Sequence, residues 1–410
     1  MDFSQSQIDN QNFASLGIFT KSHVTLKAQA LQRSHDFLLQ DQSAKLLPKE
    51  RVTNCLKRRI DKNKGRFVKY NEERCKAHWA NVQRCGSIWT CPVCAKQITE
   101  KRREELKHGI ETFKTGGGYV FMMTLTFSHS PNQPLKALLD GQKKAYKFFN
   151  ETTKVQAIFE AMGVGSKKVN AKEITYGQNG WHPHQHILML SHRPITDSYK
   201  DKMDISDINF DEKTKLNQFV KYHEELSQIW IKCCKKAGLQ APTMEYGLDI
   251  RDGKYASQYV AKWGIENEMT KGHIKKGREG GLTPFDLLQL SFDETTLVHG
   301  KSALRLYQEY GVATKGLRQL VWARGLKALL GIQDKSDQEL AEETENMGIV
   351  LEEVHELIFS LLCKYQKRHI YLTALENDYS SGNYGTVTSE AYLLIEHLAK
   401  TEIDFIQSNY

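Results

Sequence analysis

The sequence has no GxxxxGK[ST] phosphate loop, so no nucleotide-driven motor, and in particular no helicase, is expected within the chain. It has no apolar run approaching the ~18 residues of a membrane span, and a membrane partner is not expected. The opening MDFSQSQIDNQ is polar and does not read as a secretory signal, so a cytoplasmic location without disulfides is expected. Of its eight cysteines, Cys233, Cys234 and Cys363 lack ligand spacing and read as packing residues.

What is present is a basic chain with an acidic end. At 410 residues, 40% hydrophobic and 26% charged, it can form two or three domains with well-packed cores. The net charge of +8 conceals an asymmetry: Gly331–Tyr410 carries 15 acidic and 5 basic side chains, or −10, which leaves +18 on the remaining 330 residues. Basic clusters occur at Lys57–Arg59, Lys101–Arg103, Lys143 and Lys144, Lys167 and Lys168, and Lys271–Arg278. Each alone is an ordinary solvated face, but together they make nucleic acid the expected partner.

Five cysteines fall between Cys55 and Cys94, three of them in CGSIWTCPVC from Cys85. Thiolates at Cys85, Cys91 and Cys94 can occupy one face of a tetrahedral zinc ion, the tight CPVC turn being typical of zinc knuckles. Spacing leaves the fourth ligand open among Cys55, Cys75 and His78. The plainer alternative is a set of reduced cysteines without metal.

A second constellation lies in KEITYGQNGWHPHQHILML, Lys172–Leu190. Two β-prone runs flank Gly177–Gly180, the pattern of a hairpin with a four-residue loop. If Tyr176 and Trp181 close the loop, paired positions sum to about 357 and Glu173 faces His184 across roughly 5 Å. His186 projects from the same side of the pleat. One carboxylate and two imidazoles with open positions suit a catalytic divalent ion better than a closed structural site. Pro183 disturbs the ladder and makes His182 the weakest candidate.

A third constellation is DGKYASQYVAKWGIENE, Asp252–Glu268. Tyr255, Tyr259 and Lys262 share one face of a helix. A phenol with pKa near 10 becomes a nucleophile only beside a cation or a polarised electrophile, and Lys262 is such a cation. In isolation this pattern is more often a half-buried amphipathic helix, and only the neighbouring histidine hairpin favours chemistry.

Along the chain we read a polar N-terminal extension (1–50), a cysteine-rich region with a basic helix (51–115), a catalytic domain (116–330) and an acidic helical C-terminal region (331–410). A helix is expected from Gln97 to Lys114, ended by Gly116–Gly118, then a strand Tyr119–Phe127, a helix Leu135–Thr152, the hairpin, and a helix near Phe219–Ala237. This is an α+β arrangement. Gln338–Tyr365 has helical periodicity, and the Gly- and Lys-rich stretch Gly272–Gly281 reads as a DNA-contacting loop.

These residues resemble the plasmid rolling-circle replication initiators of the HUH endonuclease superfamily. FMMTLTF from Phe121, GWHPHQHILML from Gly180 and YVAKW from Tyr259 stand in that family's order. CGSIWTCPVCAKQITEKRREEL from Cys85, LTPFDLL from Leu282 and KGLRQLVWARGLK from Lys315 are similar to further blocks, over roughly residues 51–330. The resemblance implies an HUH-type antiparallel sheet flanked by helices, with an N-terminal zinc-binding element and a helical tail. It implies His184 and His186 as ligands of Mg²⁺ or Mn²⁺, with Glu173 as the third, and Tyr259 as nucleophile assisted by Lys262. An early cysteine after RVxx in the family favours Cys55 in RVTNC as the fourth zinc ligand.

The implied activity is nicking at a plasmid origin in a bacterial cytoplasm, giving a 5′-phosphotyrosyl link and a 3′-hydroxyl primer, and later rejoining of the displaced strand. Single-stranded and origin double-stranded DNA, host helicase and polymerase, and a second copy of the chain are the implied partners. Many relatives carry a glutamate four residues before the nucleophile, where this chain has Tyr255. Termination by Tyr255 or by an acid such as Glu266 stays open. A transposase or relaxase of the same superfamily, or a non-catalytic zinc-dependent DNA-binding regulator, are the competing classes.

Overall fold

A computed structural model describes residues 18–193, 210–251, 281–343, 347–386 and 388–409. The chain divides into two compact units, one of Leu39–Arg58 with Gln83–Thr344, the other of Met1–Leu38, Arg59–Val82 and Glu345–Tyr410. These are not the four consecutive segments expected from the sequence. Strand pairing between distant stretches, described below, draws the boundaries instead.

The first described element is α1 (Ile18–Leu46), a 29-residue helix in the N-terminal extension, which by sequence is polar at its start and only weakly helical beyond it. Its hydrophobic period is masked because polar residues are buried alongside Leu39 and Ala44. Ser43 donates to the Thr90 carbonyl at 2.6 Å and Gln40 donates to the Cys91 sulfur at 3.3 Å, so these polar groups are satisfied in the interior.

In the larger unit, α2 (Pro92–Thr115) starts with proline at its first turn, where the missing N–H costs nothing, and ends at Gly116 and Gly117, the latter at φ 81°. Then come β3 (Tyr119–Leu125), α3 (Leu135–Glu151), α4 (Thr153–Ala161), β4 (Lys168–Gly177), β5 (Gly180–Ser191), α5 (Phe210–Lys236) and β6 (Leu248–Arg251). They are followed by α6 (Pro284–Leu290), the two-residue strands β7 (Leu297–Val298) and β8 (Lys301–Ser302), α7 (Ala303–Ala313) and β9 (Leu320–Trp322). Five of the strands form one sheet in the order β6-β3-β5-β4-β9, every pairing antiparallel. The fold class is therefore α+β.

The sheet has two unlike faces. Phe121, Met123, Leu125, Ile187 and Met189 are all buried on one face, where Gln142 of α3 donates to the Pro183 carbonyl at 3.2 Å. On the other, Val120, Met122, Val169, Leu188 and Leu190 pack with Leu106, Ile110 and Phe113 of α2 and with Leu326, Leu330 and Ile332. That apolar cover ends one residue pair short of His186, so the remaining part of the face is free to carry polar chemistry.

In the smaller unit, β1 (Arg66–Asn71) pairs with β2 (Lys76–Ala80) on one side and with β10 (Ile349–Val354) on the other. The acidic tail is thus not wholly helical. Ile349–Val354 carries the β-branched residues Ile349, Val350 and Val354 and joins a sheet whose other strands lie about 280 residues earlier. Three helices follow, Glu356–Lys364, Arg368–Ser381 and Glu390–Asn409. Among the described residues no helix is long and apolar enough to cross a membrane.

Candidate metal centre

The β4–β5 hairpin has the register that strand geometry predicts. Tyr176 pairs with Trp181 and Glu173 with His184, but the ladder continues to Gly177 and Gly180, so the loop is two residues rather than four. Gly180 allows this closure at φ 84°, a backbone region costly for residues with a Cβ. The period of two then puts His182, His184 and His186 on one face, with Trp181, Pro183, Gln185 and Ile187 buried on the other. Trp181 anchors that other face by donating from Nε1 to Glu309 at 3.0 Å.

Glu173, His184 and His186 converge. Glu173 Oε2 lies 2.9 Å from His184 Nε2 and 3.2 Å from His186 Nε2. Burial opposes the charge of Glu173, but the His184 and His186 rings hold its carboxyl well below the usual carboxylate range. Burial also holds His186 below the ordinary histidine value, so its ring favours the neutral form that ligates metals. The three ligand atoms lie within 4.8 Å of one another, and this donor set of two imidazoles and a carboxylate fits a divalent ion with coordination positions left open.

Two further residues, not singled out by sequence, complete the setting. Thr124 of β3 pairs with His186, and its hydroxyl lies 3.0 Å from His186 Nδ1. With an ion between His186 and Glu173, a proton on Nδ1 donated to this hydroxyl would turn the Nε2 lone pair toward that ion. Its signal was present in FMMTLTF, where Thr124 interrupts the apolar alternation on the histidine-bearing face. His129, beyond the end of β3, stacks against His182 with ring centres 4.8 Å apart, and its Nδ1 lies 2.8 Å from the Asn179 carbonyl. His182 itself is 5.0 Å from His184, centre to centre, and burial lowers its pKa to about 4. It belongs to the row of imidazoles but not to the convergent group.

Tyr255, Tyr259, Lys262 and Glu266 lie outside the described residues, as does the stretch Gly272–Gly281 except for Gly281. The described chain leaves the sheet at Arg251 of β6 and rejoins it at Leu282, whose N–H and carbonyl both bond Tyr176 of β4. Asp249 pairs with Thr124 on the same face as His186 and accepts from Arg251 Nε at 2.6 Å.

The cysteines form a second, closed cluster. Cys55, Cys85, Cys91 and Cys94 are buried together, with sulfur separations of 3.5 Å (Cys55 to Cys94) and 3.7 Å (Cys85 to Cys94, Cys91 to Cys55). A tetrahedral ion with ~2.3 Å metal–sulfur bonds needs edges of roughly 3.8 Å, so the spacing of the four sulfurs fits such an ion, and it is too long for disulfides. Hydrogen bonds from the other three sulfurs hold the Cys94 thiol well below its usual value. The Ser87 N–H donates to Cys85 at 3.4 Å and the Cys85 N–H to Cys55 at 3.4 Å, while the hydrogen bond with Cys55 pushes the Cys85 thiol up and burial does the same to Cys91. Cys75 and His78, the other candidates for fourth ligand, lie in the turn after β1 and on β2, in the other unit.

Two of the basic clusters are engaged within the fold. Within Lys101–Arg103 the charges are met internally: Arg102 binds Glu105 and Asp337, each at 2.8 Å, and Arg103 binds Glu100. Lys168 is half-buried over the Phe159 ring, and this burial lowers its pKa to about 8. These groups hold helices together and are not offered to a ligand.

No protein-family model matches the chain, and no solved structure matches it. Over 306 residues it is 27% identical to a protein named "Protein rep" from Streptomyces lividans, covering 63% of this chain and 66% of that protein. Over 131 residues it is 28% identical to a protein named "Neomycin resistance protein" from Streptomyces cyanogenus, covering 26% of this chain and 30% of that one. The chain thus spans just under two thirds of the length of the first of these relatives.

Proposed function

We propose that this chain initiates plasmid rolling-circle replication by nicking one DNA strand at the origin through a tyrosine nucleophile. The observation that carries the reading is the convergence of Glu173, His184 and His186 on the open part of a sheet face, a donor set suited to phosphate chemistry and dispensable to a purely structural sheet. Similarity to a protein named for replication supports it.

The three side chains would hold Mg²⁺ or Mn²⁺, which supplies a Lewis acid for a non-bridging phosphate oxygen. Thr124 keeps His186 oriented for that task. The Tyr259 oxygen attacks phosphorus and its proton passes to solvent, while the bond from phosphorus to the 3′-oxygen breaks and that oxygen takes up a proton from solvent. The products are a 5′-phosphotyrosyl bond and a 3′-hydroxyl. Lys262 counters the charge that develops on the phosphate. Tyr259 is eight residues beyond Arg251, a tether of at most about 26–29 Å, so attachment to β6 leaves the nucleophile within reach of the metal-bearing face. The four-cysteine zinc site serves stability and not reaction.

The deciding experiment incubates the full chain with single-stranded oligonucleotides from a candidate origin and Mn²⁺, then searches peptides for a nucleotide adduct by mass spectrometry. An adduct on Tyr259, abolished in Tyr259→Phe while DNA binding persists, is the expected result. A second adduct on Tyr255 would assign termination to alternating tyrosines. Retained DNA binding without any adduct on a functional origin would favour a non-catalytic DNA-binding regulator.

A further inference from the structure

The C-terminal helix Glu390–Asn409 uses one side within its own unit: Ala391 and Leu398 are buried there, and Glu402 binds Lys364 at 2.8 Å. Its other side is open. Leu393 and Ile403 are 50% and 54% exposed, and beside them Tyr392 and Ile406 are 52% and 47% exposed. Single exposed apolar residues need no explanation, but four along one helix face do. Leu393, Glu396, Lys400 and Ile403 follow spacings of three, four and three, which is the seam of a two-helix coil.

We propose that this face binds the same face of a second copy of the chain, antiparallel, about a two-fold axis beside Ala399. The seam is self-complementary in that orientation. Positions in an antiparallel pair sum to a constant, and the sum that places Leu393 against Ile403 of the second copy also places Glu396 against its Lys400. The flanking positions then bring Tyr392 against Ile406. Along the seam each apolar residue meets an apolar one and each charge meets its opposite, twice over, as an isologous interface requires, and only the outer flank sets Glu390 beside Asp404 of the second copy. A parallel pair would set Glu396 against Glu396 and Lys400 against Lys400. The central charges therefore select orientation and register, in the way polar seam residues do in coiled coils.

The helix has 20 residues, about 30 Å, so the contact is small and the dimer is a weak one, with dissociation in the micromolar range. The region around it carries −10, so added salt should strengthen association by screening the repulsion between tails.

Sedimentation equilibrium of the full chain across concentration tests the proposal. The mass should rise from 47.1 kDa toward twice that value. Glu396→Lys alone and Lys400→Glu alone should each raise the dissociation constant about tenfold or more, by setting like charges together. The double variant should return to the wild-type value, and because all four positions are exposed each protein should keep its fold, checked by circular dichroism. A chain that stays monomeric at about 100 µM, well above the micromolar range, overturns the proposal. So does a dimer indifferent to Ile403→Asp, or a double variant no better than the singles.

Discussion

At the scale of single residues, the proposed metal ligands depend on a residue that would not itself bind the ion. With metal on Nε2, the proton of His186 would sit on Nδ1 and be donated to the Thr124 hydroxyl, and Thr124→Val keeps the shape while removing that acceptor. Loss of such a partner should weaken Mn²⁺ binding about 10- to 100-fold, read by titration calorimetry. An unchanged affinity would mean that ring packing alone orients His186. The placement of Glu173 opposite His184 was legible because a strand alternates with a period of two and the hairpin runs without a bulge. Thr124 was not legible as a partner, since its contact with His186 depends on which strand lies beside β5, and sequence spacing does not say.

At the scale of elements, the hairpin turn holds the register that makes the centre. A Cβ at Gly180 would come 2.8 Å from Pro131 Cα, and the backbone there has φ 84°. Gly180→Val should cost about 1–3 kcal/mol of stability and reduce metal affinity with it, measured by urea unfolding and Mn²⁺ titration. Gly238→Ala is the control: φ is 79° but nothing lies within 4 Å, so only the backbone penalty of about 1–2 kcal/mol applies and metal binding should be untouched. α2, α3 and β3 were readable within a few residues because each carries its own period and stop signals. α1 was obscured by buried Gln40 and Ser43, and β10 by its short length and the helical pattern around it.

At the scale of the whole molecule, the cysteine cluster ties Cys55 to Cys85–Cys94 within one unit while the intervening Arg59–Val82 belongs to the other. Removing a zinc ligand should therefore loosen the larger unit. Cys94→Ser should cost about 3 kcal/mol, a fall of roughly 6–12 °C in Tm, and release of zinc should be seen by metal analysis. Protein that purifies without zinc and melts unchanged in Cys94→Ser would identify the four as packing thiols. The sequence by itself determined the local patterns: which face of the hairpin bears Glu173, His184 and His186, where helices start and stop, and how charge is split between body and tail. Only the tertiary structure decided which distant stretches meet. It chose Cys55 over Cys75 and His78, joined Ile349–Val354 to Arg66–Asn71, and set Thr124 beside His186. The reason is physical: periodicity and capping act over a few residues, whereas strand order and ligand closure are settled by burial and pairing between segments whose separation along the chain leaves no mark in either one.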